Sequence, residues 1–248
     1  MQRIKILDSI RGLCIILMIY HHITFLMMNF GFLIETPFYN VAVGFLQSGV
    51  YAVINFCYVS TFFVIAGITS NFSRNNFKRA LPVIGVAVAV TVVTFIVMPN
   101  EYIKFGVLHC MAVCILAYAL IDKFFKKVFD KIPFYIFVIL FLVFYFLYKQ
   151  NFTIAPIYLF DIEIPTYIIG LPSSSFVSAD YYPILPWIFA FLTGASVGKY
   201  LKKVENRPKI YDVNIPFLSF VGKYPLIIYA VHQPIALAIL FCLDQLIK

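Results

Sequence analysis

The feature that most constrains this chain is a series of uncharged stretches, each long enough to cross a lipid bilayer. They cover residues 12–34, 36–73, 80–100, 105–121, 132–148, 181–198 and 224–243. A spanning helix needs about 20 apolar residues, with a range of roughly 17–25. In hydrocarbon every backbone N–H and C=O must be satisfied within its own segment, so such stretches fold as helices. Charged residues make up 12% of the 248 and hydrophobic residues 62%, whereas a soluble domain carries about 25% charge. An ordinary soluble enzyme, a disordered chain and a nucleic-acid module are thereby excluded. The expected fold class is all-α, a polytopic membrane helix bundle forming a single domain over 1–248, with lipid as its first partner and no nucleic acid.

The 36–73 run is longer than one helix requires. Pro37, Gly44 and Gln47-Ser48-Gly49 interrupt its first half, so one span is expected over roughly 51–70, preceded by a surface or re-entrant segment at 36–50. Seven spans then follow, with the N-terminus inside and the C-terminus outside. This arrangement leaves Lys104, Lys149 and Lys248 on the outer side and the other 16 of the 19 Lys and Arg inside, as the positive-inside rule demands. An eighth span within 36–73 would move every later basic cluster outside. The net charge of +8 therefore reads as topology rather than as a nucleic-acid footprint.

The first uncharged run is too long for a signal-peptide core and lacks a small-residue cleavage site, so it is expected to be retained. Residues 149–183 form a long outer loop with Asp161, Glu163 and Asp180 and with Pro156, Pro165 and Pro172, expected to cap an outer cavity. It also holds the sequon Asn151-Phe152-Thr153. The five cysteines, Cys14, Cys57, Cys110, Cys114 and Cys242, all fall in apolar runs and read as buried apolar residues. No metal site is expected.

Ionisable groups inside a bilayer are costly and by default mark function or a packed pair. Asp8, Arg11, His21, His22, His109, Asp180 and His232 are the candidates. His22 lies roughly 21 Å along the first helix from Asp8, at about 1.5 Å per residue. His109 and Asp180 stand near outer helix ends, so these three share one depth. Arg11 and His22 differ by 11 positions and fall on one helical stripe, whereas His21 points about 100° away. Asp8 is one turn from Arg11 and suited to pair with it. His232, near the middle of the last helix, either lines a donor channel or makes an interhelical hydrogen bond.

The segment from Arg3 through Asp8, Arg11 and Gly12 to His21-His22 resembles the first helix of a membrane acyltransferase superfamily. Its signature there is Arg, ten residues, then His, matched by Arg11 and His22. Four further segments are similar to the branch related to the heparan-α-glucosaminide N-acetyltransferase catalytic domain. They are Phe62-Phe63-Val64-Ile65-Ala66-Gly67-Ile68-Thr69-Ser70, Phe105-Gly106-Val107-Leu108-His109, Asp180-Tyr181-Tyr182-Pro183-Ile184-Leu185-Pro186-Trp187, and the run from Gly222 through Tyr229 to His232-Gln233-Pro234.

The resemblance implies transfer of an acetyl group from cytoplasmic acetyl-CoA to an extracytoplasmic sugar amine or glycan hydroxyl. A neutral imidazole suits the acceptor's proton, and His22 either takes that proton or carries the acyl group. His109 is expected to orient His22 or share proton transfer. Asp180 is expected to set a tautomer or bind acceptor. Asn55, Tyr181 and Trp187 are the candidates for the oxyanion and substrate. Arg11, with Arg74, Lys78 and Arg79, is expected to hold the donor's phosphates, and His232 its channel. The expected location is the cell membrane, multi-pass, of bacterial plasma-membrane type; a homodimer is one open option for assembly. The rival reading is a non-enzymatic carrier or flippase with a polar path from Arg11 to Asp180, although internal repeats, expected of many transporters, are absent from the sequence.

Overall fold

The computed structural model describes residues 4–150, 152–159, 162–204 and 208–247, without the side chains of 159, 162 and 163. Asn151 of the sequon, Asp161 and the side chain of Glu163, and the basic residues Arg3, Arg207 and Lys248 lie outside what is described.

The chain is built almost entirely of helices. Among the described residues six are long and apolar enough to cross a membrane: α1 (Lys5–Phe30), α3 (Gly49–Ser70), α4 (Asn76–Val97), α5 (Val107–Phe124), α8 (Ile184–Lys203) and α10 (Pro225–Ile247). Shorter helices are α2 (Pro37–Leu46), α6 (Lys126–Phe129), α7 (Phe134–Lys149) and α9 (Pro216–Lys223). The molecule is therefore a polytopic helical membrane protein. The 36–73 run folds as the short α2 and the long α3, joined at Gln47-Ser48. Thr36 caps α2 by accepting from the Tyr39 N–H, and Pro37 occupies the first turn, where its missing N–H costs nothing. The 149–183 connection carries a two-residue hairpin, Tyr158–Leu159 against Ile162–Glu163, and a 3-10 turn at Thr166–Ile169.

The helices pack as two compact units, with the boundary inside α3: Met1–Phe62 with Asn206–Lys248, and Phe63–Glu205. In the first unit α1 packs along α9 and α10. The α1–α9 crossing is a backbone contact. A Cβ on Gly12 would overlap the Leu218 carbonyl, and one on Gly222 would overlap the Asp8 carbonyl. Small residues permit such approaches where lipid provides no hydrophobic drive for association. Ser9 and Ser219 share a buried 2.7 Å hydrogen bond at the same crossing. Toward the other end of α1, the buried Asp244 accepts from the Leu33 N–H at 2.9 Å. It thereby holds the turn in which Gly31 and Leu33 adopt positive φ.

In the second unit, the C-terminal turns of α3 cross α8 in the same manner, with Gly67 against the Phe191 carbonyl and Gly194 against that of Val64. α7 has 16 residues, fewer than the other long helices, and packs alongside α8. Its first turns meet Phe129 through Phe137, at the end where Lys199 bonds the Phe129 carbonyl and Asp130. Its last turn meets Tyr181 through Tyr148, at the end where Tyr181 bridges Phe105. Of the cysteines, Cys14, Cys110 and Cys114 are buried as expected. Cys57 and Cys242 are instead exposed, on α3 and α10, where no other helix among the described residues covers them.

Candidate functional site

Each unit gathers its own polar residues. In the first, α1 carries Asp8, Arg11 and His22 inward. Arg11 Nη1 donates to Asp8 Oδ1 at 3.2 Å and to the Gly222 carbonyl at 3.1 Å. The pair is 13% and 5% exposed in its side chains. Arg11 thus ties the start of α1 to α9, and the Asp8 pairing expected from spacing is present. One stripe along α1 leads to His22, which is buried. Its Nδ1 lies 2.7 Å from His232 Nε2, and His232 Nδ1 lies 2.7 Å from the Tyr229 carbonyl. The Tyr229 ring closes over both imidazoles at 6.2 and 5.3 Å. His232 makes the interhelical hydrogen bond that was one of its two sequence readings. His21, off the stripe, stacks on Tyr51 and meets its hydroxyl at 3.1 Å. Asn55 donates to the Tyr58 hydroxyl at 2.8 Å.

At the outer end of the second unit, His109 and Asp180 are joined through the start of α5. Gly106 N–H donates to His109 Nδ1 at 3.2 Å. His109 Nε2 therefore carries its hydrogen and meets Thr91 Oγ1 at 3.1 Å, and Thr91 passes its own hydrogen to the Ile103 carbonyl at 2.8 Å. Both His109 nitrogens are engaged within this turn. Asp180, buried, accepts from the Val107 N–H at 3.1 Å. It stands on an orphan donor of a helix N-terminus, where a negative charge is favoured. A Cβ on Gly106 would crowd the Asp180 carboxylate and the Ile103 side chain, so glycine lets the carboxylate sit close to this backbone. Tyr181 donates to the Tyr167 carbonyl, and burial pushes its phenol up, which keeps that donor protonated. Trp187, 3% exposed, lies among Phe63, Phe141, Tyr145 and Tyr182. Its indole N–H has no hydrogen-bond partner among the described residues.

At the opposite end of this unit is a cavity of about 730 Å³, lined by Ser70 to Arg74, the last turns of α5, Lys126, Asp130 and the end of α8. Six cations, Arg74, Lys123, Lys126, Lys199, Lys202 and Lys203, face it against Asp122 and Asp130. Lys126 pairs with Asp122 at 3.4 Å and Lys199 with Asp130 at 2.9 Å. Of the expected phosphate ligands only Arg74 lines it. Arg79 instead binds the end of α3, through Ser70 Oγ at 2.8 Å and Thr69 Oγ1 at 2.9 Å. Lys78 is exposed on the first turn of α4. The five lysines of this cavity come from two segments far apart in the chain and Arg74 from a third, a convergence that leaves no local mark in the sequence.

The structure thus joins His22 with His232, Arg11 with Asp8, and His109 with Asp180 through α5. His22 belongs to one unit and His109 and Asp180 to the other. A family model described as heparan-α-glucosaminide N-acetyltransferase, catalytic, matches residues 3–234. No curated protein and no solved structure matches.

Proposed function

The chain belongs to the heparan-α-glucosaminide N-acetyltransferase catalytic family, a transmembrane acetyltransferase in kind, and from that premise we propose that it moves an acetyl group from acetyl-CoA inside to a sugar amine or hydroxyl outside. The observation that carries this reading is the match over residues 3–234, which runs across both units and includes His22, His109, Asp180 and His232. It also favours one catalytic domain over two. We place the protein in a plasma membrane of bacterial type.

His22 serves as the base or as the acyl carrier. In the direct route the acceptor's proton passes to His22 while its nitrogen or oxygen bonds to the thioester carbon. The carbon–sulfur bond breaks and the leaving thiolate is protonated. In the other route the imidazole takes the acetyl group first. The donor's phosphates are assigned to the basic cavity, where Arg74, Lys123, Lys126, Lys202 and Lys203 leave a surplus of positive charge over Asp122 and Asp130. Arg11 and Arg79 each support a helix end within their own unit through the bonds they make, and Lys78 stands exposed on the first turn of α4. Trp187 is assigned to the acceptor, because a buried indole N–H without a partner costs free energy that a sugar oxygen would recover. Tyr181 and Asn55 shape their surroundings through the bonds they already make. Asp180 and His109 hold the start of α5 and the outer mouth.

The test is thiol release from acetyl-CoA by purified protein, with glucosamine as acceptor probe. Wild type should release thiol, and His22→Ala should lose at least about 100-fold of turnover while still binding acetyl-CoA. The double variant Lys202→Glu, Lys203→Glu should weaken acetyl-CoA binding. Folded wild type that neither binds acetyl-CoA nor releases thiol would overturn the reading.

A further inference from the structure

The hydrogen-bond chain through His232 has a direction. A backbone carbonyl can only accept, so the 2.7 Å contact between His232 Nδ1 and the Tyr229 oxygen puts a hydrogen on Nδ1. A neutral imidazole carries one hydrogen, so His232 Nε2 holds a lone pair. That lone pair faces His22 Nδ1 at 2.7 Å, which requires the His22 hydrogen to sit on Nδ1. The ring planes are 27° apart and the ring centres 4.9 Å apart. That separation is about the nitrogen–nitrogen distance plus a ring radius at each end, so the two imidazoles meet edge to edge. Imidazole lone pairs lie in the ring plane, and the hydrogen bond is therefore aligned. The remaining His22 nitrogen, Nε2, is left with the lone pair.

We infer that His232 is the positioning residue of the transfer reaction: it fixes the tautomer of His22 so that Nε2 is the reacting atom. This rests on the acetyltransferase reading above. When Nε2 takes the acceptor's proton, His22 becomes an imidazolium whose Nδ1–H already donates to His232. The positive charge is thus met by a preformed acceptor inside a site that excludes water, where such a bond is stronger than in solvent. The same proton then returns from His22 Nε2 to the leaving thiolate, and the pair ends in its starting tautomers. The part that a buried carboxylate plays in many His-dependent sites is here taken by a neutral imidazole anchored on backbone. A carboxylate there would place a charge mid-helix in the membrane, where ionised groups are costly.

The experiment compares His232→Gln with His232→Asn and His232→Leu in the thiol-release assay, alongside His22→Ala. A Gln carbonyl oxygen reaches the place of Nε2 and can accept from His22; Asn is too short, and Leu has no acceptor. His232→Gln should stay within about tenfold of wild-type turnover. His232→Asn and His232→Leu should lose about 100-fold or more in kcat with little change in the KM for acetyl-CoA. Equal turnover in His232→Gln and His232→Asn would overturn the assignment, and that comparison stands even if His232→Leu does not fold. A change confined to KM would return His232 to the donor channel and also overturn it. Loss in His22→Ala with wild-type turnover in His232→Asn would remove the positioning role alone. Wild-type turnover in His22→Ala would remove the catalytic reading beneath it.

Discussion

At the scale of single residues, Arg11 shows how one side chain can satisfy a signature and also hold two helices together. Its spacing from His22 pointed to a phosphate ligand at the inner face. The structure spends Nη1 on Asp8 and on the Gly222 carbonyl, at a crossing where Gly12 and Gly222 let two backbones touch. Arg11→Ala should therefore act first on stability. It takes one ion-pair partner from a carboxylate 5% exposed, and breaking a buried pair costs about 3–5 kcal/mol. The lower end fits a guanidinium that keeps some contact with its surroundings. Thermal unfolding in detergent should show the loss, and Asp8→Asn added to Arg11→Ala should recover part of it. An Arg11→Ala protein that melts like wild type but has lost acetyl-CoA affinity would restore the phosphate role.

At the scale of elements, α7 is the informative case. Its 16 residues amount to about 24 Å at 1.5 Å per residue, against a hydrocarbon core of about 30 Å. Length alone leaves it short. Its ends nevertheless reach Phe129 at one end of the unit and Tyr181 at the other, and a short span is accommodated by local bilayer thinning. The charges agree. If α7 crosses, Lys202 and Lys203 stand on the same side as Arg74 and Lys123, as their shared cavity requires. A membrane-impermeant maleimide should thus label Lys104→Cys and Lys202→Cys from opposite sides, in a background freed of the native cysteines. Labelling of both from one side would mean that α7 does not cross. The five matched motifs also divide at this scale. Gly12, Gly67, Gly106 and Gly222 serve close approaches of backbone or carboxylate, and Asp180 serves the start of α5. Much of what resembled a catalytic signature is the means by which helices meet.

At the scale of the whole molecule, the acetyltransferase and carrier readings differ in what they consume. In sealed vesicles, acetyl label supplied as acetyl-CoA on the side of the basic loops should appear on glucosamine held on the opposite side, with one thiol released per acetyl transferred. Movement of unmodified glucosamine without thiol release would be the behaviour of a carrier and would sink the acetyltransferase reading. The apolar helices were legible from sequence because a bilayer tests each segment by itself: a run of about 20 apolar residues is a local property. The pairing of Asp8 with Arg11 was legible for the same reason, since one helix contains both. The partner of His22 was not, because His232 lies 210 positions away and hydropathy carries no information about which helix faces which. Nor was the basic cavity, whose lining comes from loops far apart in the chain. The sequence by itself determined what must lie in lipid. Only the tertiary structure decided which polar groups meet, because a hydrogen bond buried in such a bundle depends on helix packing rather than on the composition of either helix.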